Sequence, residues 1–162
     1  MQKNGFTLLE IIIYTALVGM VLTSVVYISQ IAFQVRGKTR NALLVEENMR
    51  YAMTLITNYI RSANSVESPS AGETSGTLNL GFSDVAKNPT IITTALGKII
   101  ISEGASDAIP ITVDDVEVTN LQFTRISGTP ATVLIALTGQ VRNALPKYNY
   151  TVSLQNTAVI RR

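Results

Sequence analysis

Between Lys3 and Arg36 the only charged side chain is Glu10, and the residues from Phe6 to Phe33 form one long apolar run. As a helix this run measures roughly 42 Å at about 1.5 Å per residue. A bilayer core is about 30 Å thick, so the segment is long enough to cross one. Glu10 sits four residues inside the apolar boundary. An ionisable group in such a position is costly, and function is the usual reason for keeping it. The constraint on the fold is strong, because a chain with this segment must place it in lipid or against other apolar helices.

The run is introduced by Lys3-Asn4-Gly5-Phe6-Thr7-Leu8-Leu9-Glu10. A short basic leader, a glycine and then F-T-L-L-E opening a membrane helix resembles the processing motif of type IV prepilins and type II secretion pseudopilins. The resemblance implies cleavage after Gly5, N-methylation of the new terminus on Phe6, and a role in assembly for Glu10. It implies as partners a prepilin peptidase, other pilin or pseudopilin subunits, an inner-membrane assembly platform and the lipid bilayer. An ordinary secretory signal would put small residues after its apolar core. Ser24, Ser29 and Ala32 are poor matches to that pattern, and the better cleavage position lies before the run.

Two features depart from many relatives of that kind. There is no cysteine, hence no disulfide over a C-terminal loop, and no proline precedes Pro69. Orientation draws on opposed signals. The leader carries Lys3 and the terminal amine, whereas Arg36, Lys38 and Arg40 follow the run. Charge counting alone leaves the direction open. The resemblance implies a cytoplasmic N-terminus, a single-pass anchor and a C-terminal domain outside, later drawn into a cell-surface or periplasmic filament.

The absence of histidine and cysteine removes the usual general base, the commonest metal ligand and any thiolate site. A net charge of +2 and the lack of tryptophan give no nucleic-acid signature. No catalytic residue, metal or cofactor is expected. Asp114, Asp115 and Glu117, with Glu103 and Asp107 upstream, match no calcium loop. Lys87, Lys98, Arg125, Arg142 and Lys147 lack interleaved aromatics, so no nucleic-acid partner is assigned to them.

Organisation follows from periodicity. Residues 1–5 form the leader, 6–29 the membrane helix and 30–63 its amphipathic continuation. In that continuation Val45, Met49, Ala52, Met53, Ile56, Ile60 and Ala63 recur at steps of three and four. Residues 64–76 are turn-rich and read as a loop; residues 77–162 read as antiparallel strands. Expected strands are 77–82, 98–102, 110–113, 116–123, 132–137 and 148–155. Val116 and Val118 change parity with Leu121 and Phe123, which predicts a bulge or a twist at Thr119-Asn120. Residues 132–137 are apolar on both parities, as in a well-covered central strand. Ser127-Gly128 and Thr129-Pro130 read as a hairpin turn.

One helix followed by strands predicts an α+β fold, an antiparallel sheet packed on the helix stripe, and this agrees with the pilin layout the motif implies. Arg50 and Ile60-Arg61 on the helix, with Val116–Phe123 on the strand, resemble minor pilins and J-type minor pseudopilins more than major subunits. The expected function is a structural filament subunit, not an enzyme. The alternative is a membrane-tethered binding module that never polymerises.

Overall fold

The computed structural model describes residues 7–146 and 149–161. Helix α1 runs Leu8–Ser62 without a break, through Gly37. Among the described residues nine strands follow: β1 Ser65–Ser68, β2 Thr74–Ser75, β3 Leu78–Gly81, β4 Thr90–Ala95, β5 Lys98–Glu103, β6 Ile109–Pro110, β7 Val116–Ile126, β8 Thr132–Val141 and β9 Thr151–Val159. The chain divides into two compact units, Met1–Thr39 and Arg40–Arg162. The described residues form an α+β arrangement with one long, N-terminally apolar helix, and the strand pairing among them is antiparallel throughout.

In the second unit the helix stripe is buried as its spacing predicts. Val45, Met49, Ala52, Ile56 and Ile60 have no exposed surface, and Met53 and Ala63 have almost none. A helix of this kind owes its stability to packing more than to propensity. Its counterpart is two sheets, ordered β1-β3-β4-β5-β6 and β2-β7-β8-β9. Leu78, Leu80, Ile92, Ile99 and Ile101 enter the shared core from the first sheet, and Val116, Leu121, Phe123, Val133, Ile135 and Leu137 from the second. The Val118 amide donates to the Gly97 carbonyl at 2.8 Å, joining the two sheets.

The predicted bulge is present. Val118 faces Gly139 while Asn120 faces Thr138, leaving Thr119 as the extra residue. A side chain on Gly139 would run into Met49, so glycine here is what allows β8 its close approach to that helix residue. The turn at 127–131 also joins β7 to β8 as expected.

Several expectations need correction. Residues 64–76 are not simply a loop: β1 pairs with β3, and β2 with β7. Both are short backbone-paired strands, and within them only Val66 is buried, so side-chain periodicity has almost nothing to report. Strand β4 is an addition. It turns into β5 through Leu96 and Gly97, with φ of 53° and 72°. Such a two-residue turn normally advertises itself with Asn-Gly, and leucine at the first position hides it.

The 110–113 strand is reduced to Ile109–Pro110: beyond it the Ile111 amide still donates to the Ile99 carbonyl, but the Ile99 amide donates to Thr112 Oγ1 instead of a backbone carbonyl, and the ladder stops. Strand β8 is interior, yet only one of its faces is buried; Thr132, Leu134, Ala136 and Thr138 remain partly exposed. The final strand begins at Thr151 and reaches Val159, later than the predicted 148–155. Val152, Leu154, Asn156 and Ala158 share its inner face, and the Asn156 amide is accommodated by donating to Thr57 Oγ1 at 3.0 Å.

Candidate functional site

The predicted cleavage and methylation positions, Gly5 and Phe6, lie outside the described residues. The first described residue, Thr7, caps α1: its Oγ1 accepts from the Glu10 amide at 3.3 Å, and its carbonyl accepts the same amide at 3.1 Å. Thr7-Leu8-Leu9-Glu10 thus has the capping-box sequence T-x-x-E and makes the threonine half of it, the Thr7 hydroxyl accepting from the Glu10 amide. Sequence reasoning missed this second role of the motif, although the spacing was legible. The threonine hydroxyl gives an amide of the first helical turn a second acceptor beside the Thr7 carbonyl.

Glu10 occupies the first turn of α1 and is exposed. A carboxylate there is favoured by the helix dipole, which offsets a small part of its cost in an apolar setting. Around it, every described residue from Leu8 to Arg36 is exposed, including Leu9, Ile13, Tyr14, Leu17, Val21 and Leu22. The most apolar 18-residue window has a mean hydropathy of 2.3, and none of it is buried within the chain. A helix that is apolar on all sides and covered by nothing of its own requires lipid or other helices.

The serine and threonine hydroxyls in this stretch are satisfied internally. Thr15 donates to the Ile11 and Ile12 carbonyls, Thr23 to Gly19, Ser24 to Met20 and Ser29 to Val25. This is the behaviour an apolar medium demands. The Glu10 carboxylate makes no hydrogen bond or ion pair among the described residues. A Cβ on Gly19 would meet nothing, so this chain itself makes no use of the space there. With Thr15 and Thr23 four residues to either side, Gly19 gives the helix a small-residue face suited to close helix approach.

The other candidates are committed elsewhere. Asp114 pairs with Lys98, whose hydrogen bond and charge hold the carboxyl below its usual range. Glu117 accepts from Gln140 at 3.1 Å. Among the described residues no three carboxylates converge as a metal site would require. Of the basic residues, Arg142 donates to the Leu96 carbonyl and Arg125 to the Val66 carbonyl; Lys147 lies outside the described residues.

Tyr59 adds a pairing that the sequence did not suggest. Its hydroxyl donates to Glu103 Oε1 at 2.7 Å. That bond, followed by burial and the Glu103 charge, pushes the phenol up to about 12. The ordinary phenol value is about 10. Because the folded value is the higher one, the contribution to stability is complete below pH ~10 and is lost as pH rises toward ~12. Tyr59→Phe is expected to flatten the fall in Tm over that window, measured by circular dichroism; a fall parallel to the parent's would assign the alkaline loss to other groups.

Compared with protein-family models, curated proteins and solved structures, the chain matches none. The functional reading therefore rests on the residues themselves.

Proposed function

We propose that the chain is a structural subunit, a minor pilin or pseudopilin, of a type IV pilus or type II secretion-like filament. The observation that carries this reading is the lone carboxylate of Glu10, closing K-N-G-F-T-L-L-E, in the exposed and otherwise apolar first part of α1 up to Val35. The subunit enters the cytoplasmic membrane with its N-terminus cytoplasmic and is cut after Gly5 by a prepilin peptidase. It is methylated on Phe6 and moved from lipid into the filament by the assembly platform. During that transfer the helix exchanges lipid for neighbouring helices, and the Glu10 carboxylate pairs with the Phe6 amine of another subunit. Low dielectric strengthens such a pair, and the cost of leaving either charge unpaired fixes the register.

Processing gives the first test. Gly5→Leu is expected to leave a full-length chain in the membrane, because a side chain at the scissile residue obstructs the peptidase. Mass spectrometry of the N-terminal peptide should find Phe6 first in the parent and Met1 in the variant. Removal of residues 1–5 from the variant at the parental level would overturn the cleavage assignment.

A further inference from the structure

A pocket of about 350 Å³ opens where β1, the β7–β8 turn and the C-terminal residues come together, lined by Asn64, Ser65, Val66, Arg125, Gly128, Thr129, Pro130, Ala131 and Ile160. Arg125 belongs to the inward-facing row of β7 that includes Leu121 and Phe123, and is half-buried at its end. Its guanidinium spends one donor on the Val66 carbonyl at 2.8 Å. Among the described residues no carboxylate lies within ion-pair distance of it. Backbone bonds hold the wall in place: the Ile160 amide donates to the Ala131 carbonyl at 3.1 Å, and the Arg161 amide to the Arg61 carbonyl at 3.3 Å.

The lining is unbalanced toward donors. Asn64 uses its Oδ1 to accept from the Ser83 amide, which leaves its NH₂ toward solvent or ligand. The hydroxyls of Ser65 and Thr129 make no hydrogen bond among the described residues. No acidic side chain lines the cavity, while Val66, Pro130, Ala131 and Ile160 make its remaining walls apolar. Donors on one side and hydrocarbon on the other suit a planar anion with an apolar stem. A tetrahedral anion would press oxygen against the hydrocarbon side, where nothing pays for its desolvation. A guanidinium fork matches a carboxylate in two parallel bonds. The volume is at the lower end of ligand pockets and suits a small ligand.

We propose that this pocket binds a carboxylate carried on a short branched or linear apolar group, either a free organic acid or the C-terminal residue of a peptide, with Arg125 as the anchoring cation. The proposal does not depend on the filament reading. The test is an NMR titration of the full chain, ¹⁵N-labelled in detergent micelles, following amide and Arg Nε resonances. The probes are 3-methylbutanoate, its neutral amide, inorganic phosphate, and acetyl-Gly-Val with a free or amidated C-terminus.

Saturable shifts at Val66, Arg125 and Ala131 are expected with the free acid or the free-carboxylate peptide, and none with either amide. Response to the acid, to the peptide or to both supports the site and identifies the source. Arg125→Gln should weaken binding at least about tenfold, with Arg125→Lys in between. Ala131→Leu, which fills the cavity but leaves the Arg125–Val66 bond untouched, should abolish binding while the rest of the spectrum stays in place. It therefore decides the matter even if Arg125→Gln fails to fold. No saturable shift with either carboxylate, equal binding of phosphate or the amides, or full binding by the Ala131→Leu variant would overturn the proposal.

Discussion

Ile56→Asp is expected to unfold residues 40–162. Ile56 is at the middle of the buried helix stripe and has no exposed surface. Aspartate there removes a branched aliphatic side chain from the core and puts a carboxylate into a core whose buried members, among the described residues, include no basic group. Loss of apolar burial and desolvation of the acid each cost a few kcal/mol, so the sum is about 4–5 kcal/mol or more. Net stability of an ordinary domain is about 5–15 kcal/mol, and a loss of this size consumes much or all of it. Thr54→Asp, two residues away on the exposed face, is the control, with an expected change within about 0.5 kcal/mol. Urea unfolding of a fragment beginning at Arg40, followed by far-UV circular dichroism, makes the comparison. If Thr54→Asp collapses while Ile56→Asp melts like the parent, the helix phase is wrong.

Glu10→Leu is expected to enter the membrane at least as well as the parent and to be processed, yet to be lost from filaments. A carboxylate near the edge of an apolar span costs about 1–3 kcal/mol on insertion, and leucine removes that cost. In the proposed filament the same substitution would leave the Phe6 amine of a neighbouring subunit without its counter-charge. Breaking one side of a buried pair costs about 3–5 kcal/mol, a factor of more than a hundred in association. Glu10→Gln separates charge from polarity. The amide still accepts a hydrogen bond, so strong residual incorporation would show that polarity sets the register. Immunoblots of membrane and sheared-filament fractions give the result. Glu10→Leu at parental levels in the filament fraction would sink the pairing mechanism.

What was legible in the sequence tracks how local each signal is. The stripe from Val45 to Ala63 repeats every three or four residues, so its burial followed directly. The irregularity at Thr119 was also readable, because a change of parity between Val118 and Leu121 calls for a bulge or a twist, and the pairing resolves it as a bulge. Strands β1 and β2 left no such trace, since backbone bonds to partners far along the chain define them. Tyr59 and Glu103 are 44 positions apart, and Arg125 and Val66 are 59 apart; no spacing rule joins either pair. Glu10 is the opposite case. Its position was conspicuous from the start, while the partner it calls for belongs, in this account, to another subunit.

The most direct measurement of that account is the location and N-terminus of the chain when it is expressed beside the native assembly machinery. Filaments are sheared from the cells, purified away from membranes, and the chain in each fraction is quantified and sequenced by mass spectrometry. The account predicts that the chain is present in the filament fraction and begins with N-methylated Phe6. Filaments that form normally but contain none of it, with the whole population in the membrane still beginning at Met1, would contradict it.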